Sequence, residues 1–284
     1  MSPPTPTKPL RLDAPAKLNL SLAVVGLRPD GYHFLVSELV LLDLADRLLL
    51  MPGCSGLRVE APPCEEIPLA PRENLAWRGL VAGLGAEPEL ACLTVEKRTP
   101  VAAGLGGGSS DAAAAWRLAR RWRGADERAD GQELSELAAI GADVPFFASR
   151  LGAARVEGIG ERVSAIEPPQ DGAEVLLVHP PFRLKTADVF AELRPGDMTG
   201  TATPEPGRND LLAPARRLRP ELDDLLRLVS AAGGAPQLTG SGPTIFVRTD
   251  DPEQAAALAA ELRRLGLRIT ETRLRREAAS IEEA

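Results

Sequence analysis

No apolar run of 18 residues occurs in the 284-residue chain, so its sequence holds no candidate for a membrane-spanning helix. Met1–Pro15 is proline-rich and polar and lacks the basic-then-apolar order of a signal peptide, which predicts a cytoplasmic protein with no membrane partner. Histidine is nearly absent: a Ser-His-Asp hydrolase would have to use His33 or His179, and neither has a nucleophile motif nearby. Cys54, Cys64 and Cys92 stand apart without a Cys/His cluster, which argues against a zinc site and more strongly against a disulfide framework. With aromatic residues at 4% and a net charge of −7, no nucleic-acid-binding surface is expected beyond a local patch. Lysine is scarce too. Only Lys8, Lys17, Lys97 and Lys185 occur among 33 basic residues, so each compact ammonium merits inspection, because arginine does not replace it as a point charge.

What is present is glycine, concentrated in one place. Thr99–Trp116 reads T-P-V-A-A-G-L-G-G-G-S-S-D-A-A-A-A-W, with Gly104, Gly106, Gly107 and Gly108 allowing main-chain N–H groups to converge on one point. Ser109 and Ser110 follow as good helix N-caps, and Ala112, Ala115, Trp116, Ala119 and Trp122 recur at helical spacing. The stretch reads as a glycine loop opening an amphipathic helix whose positive dipole end faces an anion. A flexible linker is the alternative, but linkers rarely run straight into a capped, alanine-rich helix. G-x-x-x-x-G-K-[ST] fails for want of a lysine, and G-x-G-x-x-G fails because Ser109 stands where the last glycine is required.

An apolar content of 44% supports a substantial core, and the length suits two domains sharing a cleft or one large domain. Residues 1 to about 10 read as disordered. From Asp13 the chain alternates: Ala16, Leu18, Leu20 and Leu22 point one way, while Lys17, Asn19 and Ser21 point the other, lining either a cleft or a solvated face. Arg28–His33 is turn chemistry, and Tyr32 with His33 could stack on a planar ligand or simply pack. Val36–Leu44 and Arg47–Met51 are β-like, with the latter expected to form a hairpin with Leu57–Glu60. Asn74 opens a helix ending near Gly85, Ala91–Glu96 is a strand, and Lys97-Arg98 at its end are either nucleotide contacts or solvated strand-end charges. Gln132–Ile140 is helical. Asp143 is a lone carboxylate flanked by Val144, Phe146 and Phe147, held by a cation such as Lys17 or capping a short helix. Strands at 153–157 and 162–165 precede a proline-containing seam at 167–172. The second half reads as strand 174–178, a helix capped by Thr186 and presenting Phe190, helices at 210–218 and 221–232, strand 244–247, helix 252–265, strand 267–274 and a frayed end. This order suggests an α+β sandwich.

Three spaced motifs resemble those of the GHMP small-molecule kinases: P-A-K-L-N-L (Pro15–Leu20), the glycine segment Pro100–Ser110, and L-T-G-S-G-P-T (Leu238–Thr244). Together with D-G-Y-H, E-K-R and G-A-D-V-P-F-F, they are similar to the branch of that family acting on a cytidine diphosphate-linked polyol. The resemblance implies an α+β, two-domain fold, with a ribosomal-S5-domain-2-like N-terminal ATP-binding domain (10–165), an α/β-sandwich substrate-side domain (166–284) and a cleft between them. It implies a catalytic pair, Lys17 and Asp143, and ATP held by Asn74, Lys97, Pro100, Val101, Ala102, Ala103, Gly104, Leu105, Gly106, Gly107, Gly108, Ser109 and Ser110. Asn19, Tyr32, His33, Thr186, Phe190 and Gly240 fall on acceptor-side positions, with Tyr32 and Phe190 sandwiching the cytosine.

A helix end contributes only about 0.3 to 2 kcal/mol to holding an anion, whereas enzymes typically lower barriers by about 8 kcal/mol or more. A divalent cation, Mg2+, is therefore implied beside ATP, although the chain offers no obvious set of fixed carboxylate ligands. A monomer or homodimer is expected. The competing readings are a kinase for mevalonate, homoserine or a sugar, and a nucleotide- or RNA-binding module without chemistry.

Overall fold

The computed structural model describes residues 8–62, 70–169, 172–200 and 205–284. Of the residues 1 to about 10 expected to be disordered, 1–7 lie outside them, as do Cys64 and residues 170 and 171 of the 167–172 seam, whereas the Pro9 carbonyl accepts from the Ala284 N–H at 2.9 Å and Leu10 opens a strand.

Two long antiparallel strands, β1 (Leu10–Leu27) and β2 (His33–Pro52), form the spine, joined by a turn in which Arg28 N–H donates to the Tyr32 carbonyl at 2.7 Å. β2 is one strand rather than two apolar runs, because β1 stays paired through its middle, with Pro15 opposite Ala45 and Ala14 opposite Asp46. Its other edge is covered by β5 (Ala153–Gly158) along one half and β4 (Ala91–Glu96) along the other, and β5 continues into the hairpin partner β6 (Arg162–Ala165). The expected hairpin is overturned. β3 (Gly56–Glu60) does not fold back on β2; β4 lies between them, antiparallel to β2 and parallel to β3. Parallel neighbours require a crossover, and the segment carrying α1 (Leu75–Leu84) supplies it. The same insertion places Cys92 opposite Met51, and so next to Cys54. The two cysteines form a disulfide with Cα atoms 5.3 Å apart, correcting the expectation that the cysteines stay apart.

α2 (Gly107–Trp122) begins earlier than Ser109: Gly106, left-handed at φ 71°, takes the cap position, so both serines fall in the first turn. α1 crosses α2 so closely that a Cβ on Gly79 would stand 2.0 Å from the Ala112 carbonyl oxygen. α3 (Gly131–Ala138) starts with a capping box between Asp130 and Glu133, and α4 (Val144–Ala148) follows directly after Asp143. The C-terminal half comprises β7 (Glu174–His179), α5 (Thr186–Ala191), α6 (Leu212–Leu218), α7 (Glu221–Ala231), β8 (Gln237–Leu238), β9 (Ile245–Thr249), α8 (Pro252–Arg264) and β10 (Arg268–Arg275). β10 pairs with β7 and then, through Leu274 and Arg275, with Leu42 and Leu41 of β2. The two halves therefore share a sheet. They also share a core: Ala16, Leu18, Val40 and Leu42 pack with Val175, Leu177 and Phe246.

The end expected to fray is anchored. β11 (Glu282–Glu283) pairs with Leu10 and Arg11, Ala279 is buried against α1 and α2, and its carbonyl accepts from Arg117 Nη2 at 2.9 Å.

Because the α1–α2 crossing leaves no room for a methyl group, Gly79→Ala should cost about 1–3 kcal/mol through overpacking. A urea midpoint equal to that of the unmodified protein would contradict this close packing.

Candidate active site

Lys17 sits where β1 leaves the regular ladder. Its pairing with β2 slips between Pro15 and Lys17, and the freed Lys17 N–H donates instead to the Leu105 carbonyl of the glycine loop at 3.0 Å. The side chain lies against that loop, almost fully buried, with Nζ donating to Asn19 Oδ1 at 2.6 Å and to the Gly104 carbonyl at 2.9 Å. Its third donor direction meets Asp143 Oδ2 at 3.6 Å. Burial lowers the Lys17 pKa from its ordinary value, and Asp143 opposes that fall.

Of the two readings the sequence allowed for Asp143, the structure forms the pairing with Lys17 and not the side-chain cap. It occupies the cap position before α4, without a side-chain cap bond, and faces Lys17. Val144, Phe146 and Phe147 around it are buried, yet the carboxylate side chain itself is 34% exposed, because it opens onto the cavity instead of the core.

The alternation read for β1 ends at a second slip, between Asn19 and Ser21. Beyond it Leu22 packs in the C-terminal core and lines the cavity, whereas Leu18 packs in the shared core. The turn Thr239–Gly242 closes over this region. Asn19 N–H donates to Thr239 Oγ1 at 3.1 Å, and Asn209 Nδ2 holds the turn through the carbonyls of Leu238 and Gly240, each at 2.9 Å. Gly104, at φ 77°, could carry no side chain here: its Cβ would lie 2.4 Å from the Thr239 carbonyl.

The far side of the loop is pinned by a second buried ion cluster. Lys97 Nζ pairs with Asp46 and with Asp111 Oδ2, the latter at 2.6 Å. Asp46 Oδ1 also accepts the N–H groups of Arg98 and Thr99, at 2.5 and 2.7 Å. Residues just before the loop and in the first turns after it are thus tied together. Burial would lower Lys97, but the two carboxylates outweigh it and its pKa is raised. Asp111 is pushed up to about 7, first by burial, against the pull of Lys97 and with a further push from Asp46. Arg98 points outward to Glu96 at 3.5 Å.

These elements enclose a cavity of about 500 Å³. Its wall includes Lys17, Asn19, Asn74, Lys97, Pro100–Ser109, Asp143, Thr186, Phe190 and Gly240, so the structure brings together most of the residues singled out from sequence. Asn74 caps α1 by accepting from Ala76 N–H. Ser110 is buried outside the cavity wall. Thr186 is the first residue of α5 rather than its cap, and its hydroxyl lies 2.9 Å from that of Ser241. Tyr32 is 64% exposed and does not line the cavity, while His33 stacks on Phe190 with centroids 5.3 Å apart.

Residues 74–150 match the GHMP kinases N terminal domain, and residues 196–267 match GHMP kinases C terminal. The chain belongs to the GHMP kinase family. A relative from Dinoroseobacter shibae named 4-diphosphocytidyl-2-C-methyl-D-erythritol kinase is 40% identical, with 92% of this chain and 95% of the relative covered. One of the same name from Anaeromyxobacter dehalogenans is 42% identical over 82% of this chain and 78% of its own. A solved 4-(cytidine 5'-diphospho)-2C-methyl-D-erythritol kinase superposes with a TM-score of 0.75 at 34% identity, covering 93% of this chain and 98% of the other. A homoserine kinase from Cytophaga hutchinsonii, at 16% identity and TM-score 0.67, shares the fold over 97% and 98% of the two chains.

The site is also shaped by residues outside the expected set. Asp111 stands in the quoted glycine stretch and Asp46 follows Asp43 in an apolar run, but their shared partner Lys97 is set by the pairing of β2 with β4. Thr239 belongs to the L-T-G-S-G-P-T motif, whereas Ser37 and Asn209 carry no local signal.

The raised Asp111 pKa has a pH consequence. A carboxyl whose folded pKa exceeds its unfolded value contributes stability below that unfolded value and loses it as pH rises through about 7. Urea titrations from pH 5 to 8 should show the unmodified kinase losing stability relative to Asp111→Asn; parallel curves would show that Asp111 does not titrate in this range.

Proposed function

We propose that this GHMP kinase transfers the γ-phosphoryl group of ATP to the 2-hydroxyl of 4-diphosphocytidyl-2-C-methyl-D-erythritol, a step in non-mevalonate isoprenoid precursor synthesis in the cytoplasm. The observation that carries the reading is the Lys17–Asp143 pair beside the glycine loop, in a cavity whose other end holds Thr186 and Phe190. Relatives about 40% identical over most of the chain bear the name of that kinase.

Phosphoryl transfer asks chiefly for positioning and charge neutralisation. In this reading residues 10–165 hold ATP and 166–284 supply the acceptor side. The adenine end lies by Asn74, Leu75 and Val95, and the phosphates lie along Pro100–Ser109, where main-chain N–H groups and the start of α2 favour anions. Asp143, open to the cavity, accepts the proton of the acceptor hydroxyl. Lys17, held by neutral oxygens on two sides, keeps its charge directed at the transferring group. Tyr32 and Phe190 cover the two faces of the cytosine, which requires Tyr32 to turn in from its exposed position and His33 to leave the Phe190 ring.

Among the described residues no group of three His, Cys, Asp or Glu could hold a metal ion. Mg2+ keeps water ligands and takes phosphate oxygens rather than a full protein cage. When bound it would neutralise phosphate charge, with Asp143 and Ser109 among the oxygen-bearing side chains of the wall that would hold it.

The test is transfer of labelled phosphate from ATP to this acceptor, with mevalonate and homoserine as controls. Turnover of either control in preference would move the assignment elsewhere in the family, and no ATP consumption with any acceptor would favour a binding module. Asp143→Asn and Lys17→Met should each lower kcat by about a hundred- to ten-thousand-fold while ATP still binds; near-normal turnover in either variant would remove that residue from the mechanism.

A further inference from the structure

The two ends of the Asn19 carboxamide are chemically opposite, and which end faces Lys17 decides whether the ammonium is stabilised or repelled. Asn19 Oδ1 accepts from Lys17 Nζ at 2.6 Å, and Asn19 Nδ2 donates to Ser37 Oγ at 2.8 Å. Ser37 Oγ gives its single proton to the Ser21 carbonyl at 2.6 Å, so only lone pairs remain to face Asn19. All three side chains are buried, and a flipped amide would set two N–H donors against an ammonium with little water to screen them. Thr239 Oγ1 approaches Asn19 Oδ1 too, but at 3.4 Å it holds the amide more weakly than Ser37 does. Ser37 reaches this place because the β1 slip between Asn19 and Ser21 turns the strand toward β2.

We propose that Ser37 is a positioning residue whose hydroxyl locks Asn19 in the orientation that presents its carbonyl oxygen to Lys17. The proposal rests on the phosphoryl-transfer reading for its effect on rate, but not for its effect on the lysine. The titratable group facing Lys17 is Asp143, at the start of α4; β1 and the glycine loop present neutral oxygens, and Thr239 bonds the Gly104 carbonyl rather than Lys17.

Two measurements on the full-length enzyme test it. Lysine-selective NMR titration is legible because only four lysines are present. The Lys17 midpoint should move to lower pH by about one unit in Ser37→Ala and return toward the starting value in Ser37→Thr, which keeps an Oγ. An unchanged midpoint in Ser37→Ala overturns the proposal, whatever the acceptor proves to be. In kinetics with ATP and 4-diphosphocytidyl-2-C-methyl-D-erythritol, Ser37→Ala should lose about tenfold in kcat, the worth of one hydrogen bond near a charge. The KM for ATP should stay within about twofold, and the alkaline limb should move to lower pH. Equal losses in the Ala and Thr variants without movement of that limb would assign Ser37 to packing alone. Failure of the unmodified enzyme to turn over that acceptor defeats the functional reading and leaves the NMR result to decide the amide lock.

Discussion

A buried ammonium organises this protein. Stripped of water, Lys17 would be costly to bury, and its ordinary affinity for a proton is reduced accordingly. The cost is offset by oxygens from three directions: Asn19 on its own strand, the Gly104 carbonyl of the loop and the Asp143 carboxylate before α4. Each comes from a different part of the chain, so satisfying one charge brings strand, loop and helix into register. Thr239 adds a fourth element by bonding Asn19 and approaching the same Gly104 carbonyl at 3.3 Å.

The glycine loop therefore hangs between two ionic anchors. On one side Lys17 takes its carbonyls; on the other Lys97, Asp46 and Asp111 tie the strand that leads into it to the helix that leaves it. The second anchor carries two carboxylates for one ammonium, and Asp111 takes up the imbalance. Anchors on both sides fix the course of the loop between β4 and α2.

Much of this was legible before any coordinates. Glycine spacing, the capped helix after it, the alternation at Lys17 and Asn19, and the flanks of Asp143 are local properties, and the structure gathers these residues around one cavity. What was not legible is long-range pairing. A turn rich in Pro, Gly and Ser after Met51 suggests a hairpin, yet nothing in residues 47–60 reveals that Ala91–Glu96 will intervene. The Cys54–Cys92 bond and the placing of Asp46 beside Lys97 follow from that one unseen insertion. Of the slips in β1, the one beside Lys17 is marked by Pro15, which has no N–H for the ladder, whereas the one between Asn19 and Ser21 has no sequence marker. The docking of the last residues rests on two strand residues and one buried alanine, too small a pattern to stand out in a sequence.

The shared sheet couples the two halves of the chain. β10 is the link between the β1–β2 spine and the β7–β9 sheet. Thr239, which bonds Asn19, lies 220 residues further along the chain. The halves also share a core, so neither keeps its full set of apolar contacts alone. Loosening the C-terminal half therefore removes one wall from around Lys17 and Asn19, and the geometry of the cavity is a joint property of both halves.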